Sequence, residues 1–187
     1  MRTSALGQSA LLMADVAEFL ATQGVRYAVI GAMAAAVHGV VRASLDAGAL
    51  VALQVREART LRQSLIEAGY EAVLRIGDAE DPIPALLEVR DCHGNRVDLL
   101  VGLRGMDPDL LNRTRQVRLA EAILEIVGRE DFIAMKAFAG GPVDLADARA
   151  VMDMDRGSVD EELLRRLAQR FGRETVKAVE LLIGAVD

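Results

Sequence analysis

Apolar residues at Leu11, Leu12, Val16, Phe19 and Leu20 recur at helical spacing, which predicts a first helix over about residues 4–23 closed by Gly24. The period then changes. Residues 25–30 read as a short buried strand ending at Gly31, and the alanine-rich stretch 32–37 reads as a helix closed by His38-Gly39. Residues 45–55 are a continuous apolar run rich in Val and Leu, the pattern of a strand buried on both faces. Helical spacing returns over 56–68 and ends at Gly69.

Two further strands are predicted over 70–76 and 85–90, separated by a turn-prone stretch containing Gly77, Pro82 and Pro84. Residues 91–95 read as a hairpin turn leading into a strand over 96–101. A short helix is expected over 107–114, and 117–127 holds strand-like stretches whose boundaries the pattern leaves open. Helices then dominate, over about 130–139, 143–152, 159–171 and 174–183. Ser158 and Glu161 form an S-x-x-E capping-box pattern at the start of the third of these. The order predicts a mixed α/β (α+β) core over 1–128, with a helical C-terminal segment over 129–187 packed on it.

Composition narrows the picture in three respects. Hydrophobic content is 52% with no Trp and only 3% aromatics, so the core must be aliphatic and closely packed. A formal charge of −6 argues against a broad nucleic-acid-binding face, which needs surplus cations. The single cysteine, Cys92, excludes an intrachain disulfide, and with only His38 and His93 as further soft ligands a structural zinc site is not expected. No leader-like opening and no apolar run of membrane-spanning length of about 18 residues are present, which predicts a cytoplasmic protein.

The candidate chemistry lies in Gly31-Ala32, Asp46 and Asp98. Nucleotidyl transfer needs a divalent ion to bridge triphosphate oxygens and neutralise developing charge. Magnesium takes one or a few carboxylates together with phosphates and water. Acids at i and i+2 of a strand share a face, and a neighbouring strand can supply another. A small-residue turn before a helix lets backbone N–H groups approach a phosphate. Here Gly31-Ala32 ends an apolar strand, Asp46 follows after thirteen intervening residues, and Asp98 lies between Val97 and Leu99.

The stretch Val29-Ile30-Gly31-Ala32, followed by His38-Gly39-Val40-Val41-Arg42-Ala43-Ser44-Leu45-Asp46, resembles the first motif of the polymerase-β-like nucleotidyltransferase superfamily. It is closest to the bacterial abortive-infection type, toxin-like branch. Glu130-Asp131-Phe132-Ile133-Ala134-Met135-Lys136 and Ala139-Gly140-Gly141-Pro142-Val143-Asp144-Leu145-Ala146-Asp147 resemble that branch again. The resemblance spans about residues 11–155 and implies a nucleotidyltransferase-like mixed sheet flanked by helices. It further implies a nucleoside triphosphate as substrate and Mg2+ as cofactor, with a phosphate-side turn at Gly31 and Ala32. Asp46 would ligate the metal, Asp98 would be a second ligand or the base, and Lys136 would reach the phosphates. Ser44, of the same motif, and Arg42 would join them in binding the nucleotide, although the residues alone let Arg42 position Asp46, contact phosphate or simply face solvent. The acceptor (RNA, protein or small molecule) stays open, as do a homodimer and an antitoxin partner.

Three departures qualify the resemblance. Ala32 stands for the commoner Gly or Ser and loses a hydroxyl donor, and Ser44 stands for Thr. Gly48 removes the second acid of an Asp-x-Asp pair, taking the site from about −3 to −2 in chemistry that depends on electrostatics. Glu88 can replace it only if its strand pairs beside Asp98 in the right register, because a one-residue slip turns it to the opposite face. Two functions follow: a metal-dependent transferase, or a catalytically degenerate module that binds a nucleotide or a partner. Plainer roles also stand: Gly31 as a turn, Asp46 as a strand terminus, and Asp98 in an ion pair with Arg96 or Arg42. His38 would face the last carbonyls of its helix, Lys136 would be a solvated helix residue, and Asp144 and Asp147 would be first-turn acids.

Overall fold

The computed structural model describes residues 1–184, so the last three residues of the expected C-terminal segment lie outside the described residues. Its core is a seven-stranded mixed sheet in the order β3-β4-β5-β2-β1-β7-β6. The strands are β1 (Tyr27–Ile30), β2 (Asp46–Val51), β3 (Glu71–Ile76), β4 (Ala85–Arg90), β5 (Arg96–Val101), β6 (Arg115–Leu119) and β7 (Ala122–Ile126). The helices are α1 (Ser9–Thr22), α2 (Gly31–Val37), α3 (Val55–Glu67), α4 (Arg129–Ala139), α5 (Pro142–Met154), α6 (Glu161–Phe171) and α7 (Arg173–Gly184).

One face of the sheet is closed. Ala47, Ala49 and Val51 of β2, Val97, Leu99 and Val101 of β5, and Leu87 and Val89 of β4 are all buried. Helix α1 packs against β2, β5 and β7, and α3 against β3 and β4. The alternate positions are more open: Asp46 and Gly48 of β2, and Arg96, Asp98 and Leu100 of β5, are only half-buried. The expectation that 45–55 is a strand buried on both faces is thereby corrected. Strand β2 ends at Val51, and only Leu50 of the second face is buried. A polar patch keeps the other half of that face wet.

Local chemistry explains the other differences. The first helix starts at Ser9 rather than near residue 4, because the Gln8 side chain accepts the N–H groups of Ser4 and Ala5 at 2.6 and 3.2 Å and holds them in a turn. The helix expected over 107–114 shrinks to a 3₁₀ turn at Leu110–Asn112. There the Asp107 carboxylate accepts from the Asp109 N–H at 2.9 Å, and such local bonds compete with helix formation. The Ser158–Glu161 capping box does not form. Ser158 donates to Asp155 within a 3₁₀ turn, and Asp160 caps α6 by accepting the Leu163 N–H at 2.9 Å.

His38 ends α2, and its ring reaches the Val127 carbonyl at 2.9 Å rather than the last carbonyls of its own helix. A carbonyl only accepts, so Nε2 carries the proton. Burial holds the His38 pKa below its ordinary value. The unfolded chain therefore binds this proton more readily than the native state. Stability is present above the unfolded pKa of about 6.5 and is lost as pH falls through it towards the folded value. Thermal melts of the parent and of His38→Gln between pH 7.5 and 5 should show a steeper fall in the parent. Parallel curves would contradict this assignment.

Candidate functional site

Register brings the acids together. Strands β2 and β5 run parallel, with Asp46 paired to Arg96 and Gly48 to Asp98. Strand β4 runs antiparallel to β5 and places Glu88 directly opposite Asp98. Because successive residues alternate faces, Asp46, Gly48, Glu88, Arg96 and Asp98 all occupy the same open side. Two acids 52 positions apart in the chain thus converge. The register of Glu88 is the favourable one, which the length of the 91–95 turn alone left open.

Arg96 lies between the acids. One of its nitrogens, Nη2, hydrogen-bonds Asp46 Oδ2 and also sits 3.4 Å from Asp98 Oδ2. Ser44 Oγ donates to Asp46 Oδ1 at 2.8 Å. These bonds, Ser44 foremost and then Arg96 against some desolvation, hold the Asp46 pKa below the usual carboxylate range. Asp98 behaves oppositely. Burial raises its pKa despite Arg96, and its Oδ1 is a buried oxygen without a hydrogen-bond partner. Arg96 Nε is likewise buried without a partner. Both acids retain access to solvent, with side-chain exposures of 42% for Asp46 and 22% for Asp98.

Glu88 is spoken for. Arg90 Nε donates to it at 2.8 Å, and Arg75 Nη2 lies 3.4 Å away. Arg90 foremost holds the Glu88 pKa down. The patch therefore balances three acids, Asp46, Glu88 and Asp98, against three arginines, Arg75, Arg90 and Arg96.

Gly31 turns β1 into α2 with φ +67, a left-handed angle that favours glycine over any residue bearing a Cβ. Nothing lies within 4 Å of the position a Cβ would take, so the space over the turn is open. Ala32 follows as the second residue of α2. Gly31 also lines a cavity of about 270 Å³ together with Ile30, Leu100, Phe132, Lys136 and Asp144. That cavity is largely apolar, and neither Asp46 nor Asp98 lines it; Asp46 lines a separate groove of about 360 Å³ with Leu45, Arg90 and Arg96. Ile30 of the cavity lies against Gly48, and Leu100 of the cavity stands two residues after Asp98 on the same face.

Lys136 and Arg42 form a separate cluster. Lys136 Nζ lies 2.7 Å from Asp144 and 2.9 Å from Asp147, while Arg42 Nε donates to Asp147 at 3.1 Å. Asp147 is buried, so its role is to hold two cations rather than to face solvent as a first-turn acid. Nothing in the helical spacing signals this role, since the cations come from a loop and from the preceding helix. The seven candidate residues thus fall into three groups: Asp46, Asp98 and Ser44; Gly31 and Ala32; and Arg42 with Lys136. Gly31 and Lys136 share the apolar cavity.

Among the described residues no set of three or more His, Cys, Asp or Glu side chains is placed to hold a metal ion. Two carboxylates touching one cation, one of them with an orphaned buried oxygen, suit an ion that also uses substrate phosphates as ligands. No helix among the described residues is long and apolar enough to cross a membrane.

The architecture is nucleotidyltransferase-like. An antigenic nucleotidyltransferase-like protein from Paracoccidioides brasiliensis shares it, with 15% identity, 95% of each chain covered and a TM-score of 0.54. The lincosamide antibiotic adenylyltransferase LnuA, solved with lincomycin bound, is 9% identical over 81% of this chain and 99% of its own, with a TM-score of 0.51. ANT(2")-Ia in complex with adenylyl-2"-tobramycin is 12% identical over 88% of this chain and 96% of its own, with a TM-score of 0.55. At these identities the likeness is one of fold. No protein-family model matches the sequence, and no curated protein matches it.

Proposed function

We propose that this chain is a nucleotidyltransferase that moves a nucleoside monophosphate from a nucleoside triphosphate to a small hydroxyl-bearing acceptor. The observation that carries this reading is the convergence of Asp46 and Asp98 on a single cation on the open side of adjacent strands. In this reading the triphosphate lies between the Gly31-Ala32 turn and the acids. Asp46 and Asp98 are the residues that would hold Mg2+, and when bound it would supply positive charge at the reacting phosphate. The acceptor oxygen forms a bond to the α-phosphorus, the bond to the leaving pyrophosphate breaks, and the acceptor proton passes to a base. Asp98 takes that role only where the ion is held without it.

A small-molecule acceptor is favoured over RNA by the charge of −6 and by the small antibiotics named for LnuA and ANT(2")-Ia. Arg42 and Lys136 act in this reading only if nucleotide phosphates draw them from Asp144 and Asp147. Membership of the toxin-like branch and an antitoxin partner rest on the sequence resemblance, whereas a cytoplasmic location and a second copy as partner rest on composition and sequence pattern alone. The division at residue 128 rests on element order. Gly48 and the balanced patch favour a second reading, in which the fold binds a nucleotide without transferring it.

Calorimetric titration with ATP, in Mg2+ and in EDTA, tests the first step. Binding should require Mg2+ and weaken at least about tenfold in Asp46→Ala and in Asp98→Ala, the loss of roughly one charge-assisted contact each. Tight ATP binding indifferent to metal and to both changes would count against the assignment.

A further inference from the structure

The geometry points to Arg96 as the resident cation of this site: its guanidinium takes the place between Asp46 and Asp98 that a divalent ion would occupy, and so keeps the nucleotide-free chain from binding metal there. The inference rests on the acids being a cation site, as proposed above, but it concerns what fills that site before substrate arrives.

Three observations carry it. Arg96 belongs to β5, two residues before Asp98, so strand alternation fixes its side chain on the same face as the acids. A single atom, Nη2, touches oxygens of both carboxylates, which is how a bridging ion would be placed. The fit is also incomplete: Arg96 Nε and Asp98 Oδ1 are buried, and neither has a hydrogen-bond partner. A guanidinium that served only to satisfy Asp98 would face it with its fork of donors, as Arg113 does with Asp131. Arg96 instead reaches past Asp98 to Asp46 and leaves one donor and one acceptor unmet.

The consequence is electrostatic. A divalent ion entering beside Arg96 would meet a fixed positive charge that already balances one of the two carboxylates. No other acid on the patch is free to help, because Glu88 is held by Arg90 and Arg75. A divalent ion would therefore enter with a triphosphate, whose own charge would draw the guanidinium aside. The Arg96 side chain is 36% exposed, which leaves it a way out. Arg96 is a gatekeeper for metal and not itself a metal ligand.

Electron paramagnetic resonance of Mn2+ added to the nucleotide-free chain provides the test. Arg96→Met should bind Mn2+ at least tenfold more tightly than the parent, and Arg96→Met/Asp98→Asn should return to the parent value. Arg96→Lys, which keeps a cation, should stay within about twofold of the parent. Arg96→Gln preserves polarity and supplies the same comparison should the methionine variant fail to fold. Equal Mn2+ affinity in the parent and in the uncharged variants would overturn the inference. So would a gain that survives loss of Asp98. The measurement contains no nucleotide, so a failure of ATP binding sinks the transferase reading alone, whereas unchanged Mn2+ affinity sinks this inference alone.

Discussion

Gly48→Asp should convert the nucleotide-free chain into one that binds Mn2+ roughly tenfold or more tightly, without loss of thermal stability beyond a few degrees. The backbone at this position has ordinary strand geometry, so a side chain is admissible. A Cβ would meet Ile30 Cγ1 at 3.4 Å and the Asp98 carbonyl at 3.7 Å, both ordinary contacts. The new carboxylate would point to the open face, between Asp46 on its own strand and Asp98 across the ladder. Three acids would then surround a point now neutralised by Arg96 alone. In combination with Arg96→Met the gain should exceed the sum of the two separate gains, since both changes act on the same ion. Mn2+ titration of the four proteins measures this. No gain in Gly48→Asp would show that the open face at this point is not the cation site.

Asp131→Ala should cost about 3 kcal/mol and lower the melting temperature by roughly 10 °C. Asp131 is buried in the first turn of α4 and holds Arg113 by two parallel bonds, from Nε and from Nη2, each 2.8 Å long. Arg113 stands just before β6, so the pair fastens the start of the C-terminal helices to the far edge of the sheet. Removing the acid leaves a half-buried guanidinium with only Asp107, at 3.1 Å. Breaking one side of a buried pair is costlier than removing both, so Arg113→Ala/Asp131→Ala should melt higher than Asp131→Ala. Calorimetry on both variants decides it. A melting point within 3 °C or so of the parent for Asp131→Ala would mean that the pair fastens nothing.

Much of the fold is legible in hydrophobic period, because long elements with one buried face leave a strong signal. Strands β4 and β5 fall where the alternation and the 91–95 turn place them. What the turn conceals is its own lock. The buried Asp91 accepts from the N–H groups of His93 and Asn95, each at 2.9 Å, and so fixes the register that sets Glu88 opposite Asp98. Asp107 defeats helix prediction by the same means, its carboxylate accepting the Asp109 N–H where spacing alone suggests a helix.

The candidate site was readable in part for a related reason. Asp46 and Asp98 stand out as acids in apolar strands, and Arg96-x-Asp98 alternation already sets a cation on the same face as Asp98. That Arg96 would reach across to Asp46 depends on β2 and β5 being parallel neighbours, a non-local fact that no window of sequence contains. Asp147 was hidden similarly. Its partners, Arg42 and Lys136, come from two separate elements, so the helix position alone offered only the dipole as a reason for an acid.

A crystal structure with a non-hydrolysable ATP analogue and Mn2+, with the metal located by its anomalous signal, tests whether Asp46 and Asp98 hold a cation beside a triphosphate. One Mn2+ peak should lie between Asp46, Asp98 and the triphosphate, with Arg96 turned off the acids and the phosphate chain beside Gly31. Nucleotide bound elsewhere, or bound with the Arg96 bridge intact and no metal on the two acids, would contradict this placement.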